Sequence, residues 1–114
     1  MKHAAAVEAL GALAHEHRLA LYRLLVEQGP GGLPAGSIAG RLKIAPSSLT
    51  FHLHHLRRAG LITQTRSSRQ LIYAADFAAM NGLVRYLTEN CCGAGAAECA
   101  PPCAPSVRRF RRTA

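Results

Sequence analysis

Two glycine stops limit how this chain can fold. Gly29-Pro30-Gly31-Gly32 ends one leucine-rich segment and Gly60 ends another, so the stretch between them is built from short pieces. Within it "PAGSIAGRLK" predicts a helix over 34–43, with Pro34 suited to the first turn and Ile38 and Leu42 spaced i, i+4. A second helix opens at Pro46 and runs to about Ala59. Leu49, Leu53 and Leu56 form a narrow apolar stripe on it, which turns Ser47, Ser48, Thr50, Phe51, His54, Arg57 and Arg58 mostly outward. Two short helices joined by a tight connection, the second with a polar and basic outer face, are the pattern of a helix-turn-helix.

The flanking segments complete that pattern. After Gly60, "LITQTR" and "RQLIY" are β-rich runs separated only by Ser67 and Ser68, which predicts a hairpin with Arg66 and Arg69 on either side of its tip. The fold class is therefore mainly α with a β-hairpin wing, a winged helix-turn-helix. Upstream, Val7, Leu10 and Ala14 follow helical spacing, and a leucine-rich helix over 16–28 has so little polar face that it is expected at the centre of the core. Downstream, Asp76 is a good N-cap for a last helix carrying Met80, Leu83, Val84 and Leu87. Residues 1–90 are expected to form the folded domain, and 91–114, rich in Ala, Gly, Pro and Cys, a flexible tail. A chain of 114 residues buries a limited share of its surface, so a second copy is a reasonable partner.

Charge narrows the choice of partner. The net charge is +8, and from Gln28 to Ala75 there is no Asp or Glu, whereas Arg41, Lys43, Arg57, Arg58, Arg66 and Arg69 are all present. A polyanion is the natural partner for such a segment. A second basic run, Arg108 to Arg112, is either a phosphate-contacting tail or a solubilising end. No run reaches the ~18 apolar residues of a membrane span. Glu8 within the alanine-rich start argues against a secretory leader. A soluble, cytoplasmic protein without a membrane partner is expected.

All four cysteines, Cys91, Cys92, Cys99 and Cys103, fall in "NCCGAGAAECAPPC". In a reducing compartment they point to a metal, a metalloid or redox sensing ahead of structural disulfides. The helix end preceding them carries a negative dipole, which disfavours a pre-ionised thiol and suits thiols that lose protons on binding a ligand. His52 and His55 are i, i+3 neighbours, but on such a helix packing for His52 and DNA or solvent contact for His54 are the favoured roles; His15 and His17 are read as structural. No Ser/His/Asp arrangement or phosphate-binding glycine loop is present, so an enzyme is not expected.

The run from Leu10 to Ile62, followed by Arg66, Arg69 and Tyr73, resembles the ArsR/SmtB family of metal- and metalloid-responsive bacterial repressors, most specifically in "APSSLTFHLHHLRRAGLI". The resemblance implies a homodimer joined through the first and last helices, and repression of an operator relieved by an inducer. "PAGSIAGRLK" lacks the cysteine pair that some arsenic sensors carry there, and no histidine follows Tyr73 to join Asp76 in a zinc site on the last helix. The "NCC" with further cysteines beyond it is similar to the subgroup that senses As(III) or Sb(III). As(III) takes three thiolates in a pyramid, and zinc or cadmium prefers four ligands in a tetrahedron. Cys91, Cys92 and Cys99 are the expected set, with Cys103 as substitute or fourth. A four-cysteine Zn/Cd site, a disulfide switch and a thiol-rich storage protein are the alternatives. Operator DNA would meet Ser47, Ser48, Thr50, Phe51, His54 and Arg57 in the major groove, and Arg66 and Arg69 at phosphates or in the minor groove.

Overall fold

The computed structural model describes residues 1–89. Five helices and three strands follow in the order α1 (His3–Leu13), α2 (Glu16–Gln28), β1 (Leu33–Pro34), α3 (Ala35–Leu42), α4 (Pro46–Arg58), β2 (Ile62–Ser67), β3 (Gln70–Ala75) and α5 (Phe77–Thr88). Residues 1–83 form one compact unit; the described remainder, 84–89, is the end of α5 with the one residue after it and is taken by itself. The expected tail, with Cys91, Cys92, Cys99, Cys103 and the second basic run, lies outside the described residues.

Local chemistry explains the joints. His15 caps α2 in place of the usual hydroxyl or carboxylate, its Nδ1 accepting from the His17 N–H at 3.1 Å. Arg18 reaches back across that corner and donates from Nε to the Ala12 carbonyl at 2.6 Å, satisfying an orphan acceptor at the end of α1. α4 ends in a Schellman motif: Gly60 takes φ +80°, its N–H donates to the Arg57 carbonyl, and the Leu61 N–H donates to that of Leu56. Asp76 caps α5 as expected, its Oδ1 accepting from the Ala79 N–H at 3.0 Å.

Leu21 and Leu25 from α2, Ile38 from α3, Leu49 and Leu56 from α4, and Leu61 form the most deeply buried part of the core. The apolar stripe of α4 is buried in full, with His52 beside it. Two expectations about the early helices need correction. α2 is not buried all round: Leu19 and Val26 are exposed. On α1 the alanines Ala6, Ala9 and Ala12 face the core, because small side chains permit close helix approach, while Val7 and Leu10 are 56% and 43% exposed.

The expected hairpin is part of a three-stranded antiparallel sheet of order β1-β3-β2. β2 and β3 pair from Ile62↔Ala75 to Ser67↔Gln70, and β1 adds Leu33↔Tyr73 and Pro34↔Ile72. Pro34 is thus an edge residue with φ −72° and ψ 155°, one position before α3, and not in its first turn. Gly32 makes this pairing possible, since at φ +74° a Cβ would fall 2.5 Å from the Tyr73 carbonyl oxygen. Among the described residues no helix is long and apolar enough to cross a membrane.

Candidate nucleic-acid interface

The candidate surface is the outer face of α4 and the tip of the wing. α4 starts at Pro46, with no side-chain cap and no acidic residue in its first turn, so its leading N–H groups and positive dipole end favour an anion. Leu49, His52, Leu53 and Leu56 turn inward. Helical spacing therefore carries Ser47, Ser48, Thr50, Phe51, His54, Arg57 and Arg58 outward, and all of them are exposed.

Two of these side chains are less free than the sequence suggests. The Thr50 hydroxyl donates to the Pro46 carbonyl one turn back at 3.0 Å, which leaves its oxygen as an acceptor and its methyl as an apolar contact. Phe51 is 61% exposed, with its ring stacked on His55 at 6.2 Å and edge-on to His52 at 5.7 Å. A large exposed aromatic held on a polar helix face is positioned to meet another surface.

In the wing, Ser67 pairs with Gln70, so the two-residue loop is Ser68-Arg69, with Ser68 at φ +58°. Arg69 therefore sits in the turn itself and Arg66 on β2 opposite Leu71, both exposed; the expectation that they flank a Ser-Ser tip shifts by one residue. Gln64 donates to the Tyr73 hydroxyl at 2.9 Å across the same hairpin, stiffening its base. Arg23 and Glu27 form a solvated ion pair on α2, away from this surface. Among the described residues, no carboxylate is seen paired with the arginines of α4 and the wing.

Behind α4 the structure assembles a group of side chains that sequence reasoning treats separately. His15 and His17, at the α1–α2 corner, meet His52: ring centroids lie 4.9 Å apart for His15–His52, 5.7 Å for His17–His52 and 5.6 Å for His15–His17. His52 is 6% exposed and its Nδ1 is buried without a hydrogen-bond partner. Burial first, and then the nearby positive charge of His15, Arg18, His17 and His55, hold its pKa below the ordinary imidazole value. Nothing in the spacing of 15, 17 and 52 signals this meeting, which depends on how α2 packs on α4.

Comparison with known proteins agrees with the geometry. A helix-turn-helix domain family matches residues 13–65, spanning α2 to the middle of β2. The transcriptional activator HlyU of Vibrio cholerae is 30% identical over 91 residues, covering 80% of this chain and 82% of HlyU. A solved HlyU structure from that organism superposes with a TM-score of 0.60 at 32% identity, over 76% of this chain and 97% of the other. An ArsR-like transcriptional regulator from Rhodococcus sp. RHA1 gives a TM-score of 0.65 at 30% identity, over 74% and 76%. A homodimeric winged helix-turn-helix domain from Mycobacterium bovis, at 22% identity over 75% and 80% with a TM-score of 0.60, shares the fold. The exposed recognition helix, the basic wing and these relatives together place the chain in the ArsR/SmtB family of winged helix-turn-helix transcriptional regulators.

Proposed function

We propose that the protein is a homodimeric repressor of operator DNA that As(III) or Sb(III) releases through Cys91, Cys92 and Cys99, with Cys103 as substitute or fourth ligand. The observation that carries the DNA-binding half is the outer face of α4, where Phe51 and Arg57 stand exposed on a helix whose opposite face is fully packed. Each subunit would lay α4 in a major groove, with half-sites about one helical turn apart. Phe51 would meet a thymine methyl, Ser47 and Ser48 phosphates or base edges, and Arg66 and Arg69 phosphates or the minor groove. The protein would act in the cytoplasm, without catalysis.

The inducer half rests on sequence chemistry. Four thiols follow the last helix closely, and three of them match the pyramidal S3 preference of As(III). A ligand there would act on α5, which in the proposed dimer lies at the subunit contact. A coupling of about 1–3 kcal/mol would weaken DNA binding by about 5- to 150-fold. The likeness to HlyU, an activator by name, favours a second reading in which the same surface holds a promoter for activation.

The test is fluorescence anisotropy of labelled DNA from the gene's upstream region, titrated with reduced protein and then with arsenite or zinc. Binding lost with arsenite and kept with zinc is the expected result, and it should be insensitive to arsenite after Cys91→Ser, Cys92→Ser or Cys99→Ser. Release by arsenite in all three variants would remove the S3 site. Specific binding indifferent to arsenite would favour the activator reading, which in vitro transcription would then examine.

A further inference from the structure

The DNA contact and the thiol chemistry proposed above use none of His15, His17 and His52. One ring nitrogen from each of the three lies within 4.8 Å of the others. The geometry points to a second metal site, an imidazole site for a borderline divalent transition ion such as Zn(II), in which His15 and His17 from the α1–α2 corner and His52 from α4 are the ligands.

Three features of the cluster suit this chemistry. The His15 Nδ1 is committed to capping α2, which orients that ring and leaves its Nε2 as the donor. The His52 Nδ1 is buried and unpartnered, so at that atom a metal displaces no hydrogen bond. His17 is exposed, so its ring has room to rotate while His15 keeps its cap. Imidazole nitrogens at 2.0–2.1 Å from a tetrahedral zinc stand about 3.4 Å apart, a contraction that the His17 ring would supply by rotation and the α1–α2 corner by a small shift, with water at the remaining position.

Arg18 bears on the His52 ring, but its guanidinium is shared with the α1 end through the Ala12 and Gly11 carbonyls. Imidazoles suit Zn(II), Ni(II) and Cu(II), whereas As(III) prefers thiolates, so this site and the cysteines would take different ions. A bound ion would tie the start of α2 to the inner face of α4, directly behind Phe51.

The test uses the full-length chain with Cys91, Cys92, Cys99 and Cys103 all replaced by serine, titrated with Co(II) as an optical probe and then with Zn(II). A visible d–d band without thiolate charge transfer, saturating at one Co(II) per chain and displaced by Zn(II), is the expected result. His17→Ala, at an exposed position, should weaken Co(II) binding at least about 10-fold while circular dichroism stays unchanged. His52→Ala should abolish it, and its own spectrum must confirm folding. Absence of the band in the folded parent, or a band unaltered by His17→Ala, would overturn the site.

Discussion

At the scale of single residues, two glycines show how one backbone conformation can carry different costs. Gly60 and Gly32 both have positive φ, but a Cβ on Gly60 meets nothing within 4 Å, whereas one on Gly32 runs into the Tyr73 backbone. Gly60→Ala should therefore lose only the left-handed preference, about 1 kcal/mol of stability. Gly32→Ala should lose more, about 2–4 kcal/mol, because β1 must also leave β3. Urea unfolding midpoints of the two variants check both values. Gly60 was legible from the sequence as a helix stop; the demand on Gly32 was not, since the carbonyl that it faces lies forty-one residues away. The histidines behave in the same way. His52 packs inward as its place near the α4 stripe suggests, but its neighbours His15 and His17 come from another element.

At the scale of elements, the proposed complex would give α4 and the wing separate tasks. α4 would present groups that distinguish bases, and the turn a cation that does not. Arg69 is exposed in a two-residue loop and carries no core contact. Arg69→Ala should thus leave folding unchanged and weaken binding about equally to all sequences. The slope of log affinity against log salt should become shallower by about 1. A titration of DNA binding across salt concentrations measures this directly, and an unchanged slope would take Arg69 off the phosphates. α2, α4 and the hairpin were legible because their stops and periodicities are local. β1 was not: two residues, one of them a proline, have no periodicity, and only pairing with Tyr73 and Ile72 makes them a strand.

At the scale of the whole molecule, the exposed apolar residues of α1 offer a test of the proposed dimer. Val7 and Leu10 lie on the face away from the alanines that pack inward; on the end of α5, taken by itself, Val84 and Leu87 are exposed as well. In the proposed dimer these residues are covered. Leu10→Asp should then leave the subunit folded, because the site is already partly exposed, but should place an unpaired charge in the contact at a cost of about 2 kcal/mol or more. Analytical ultracentrifugation should show a shift from dimer to monomer, with DNA affinity falling in parallel. Unchanged sedimentation would move the contact elsewhere.

The sequence by itself determined the order of helices, the basic segment without carboxylates, the apolar stripe of α4 and the exposure of its opposite face, since all of these follow from local periodicity, stops and charge. Only the tertiary structure decided which face of α1 is buried, that Pro34 belongs to a sheet edge, and that three histidines from the α1–α2 corner and α4 converge. Those outcomes depend on contacts between residues far apart in the chain, where small side chains, a missing Cβ and a shared crossing point determine what can approach, and no local pattern encodes that meeting.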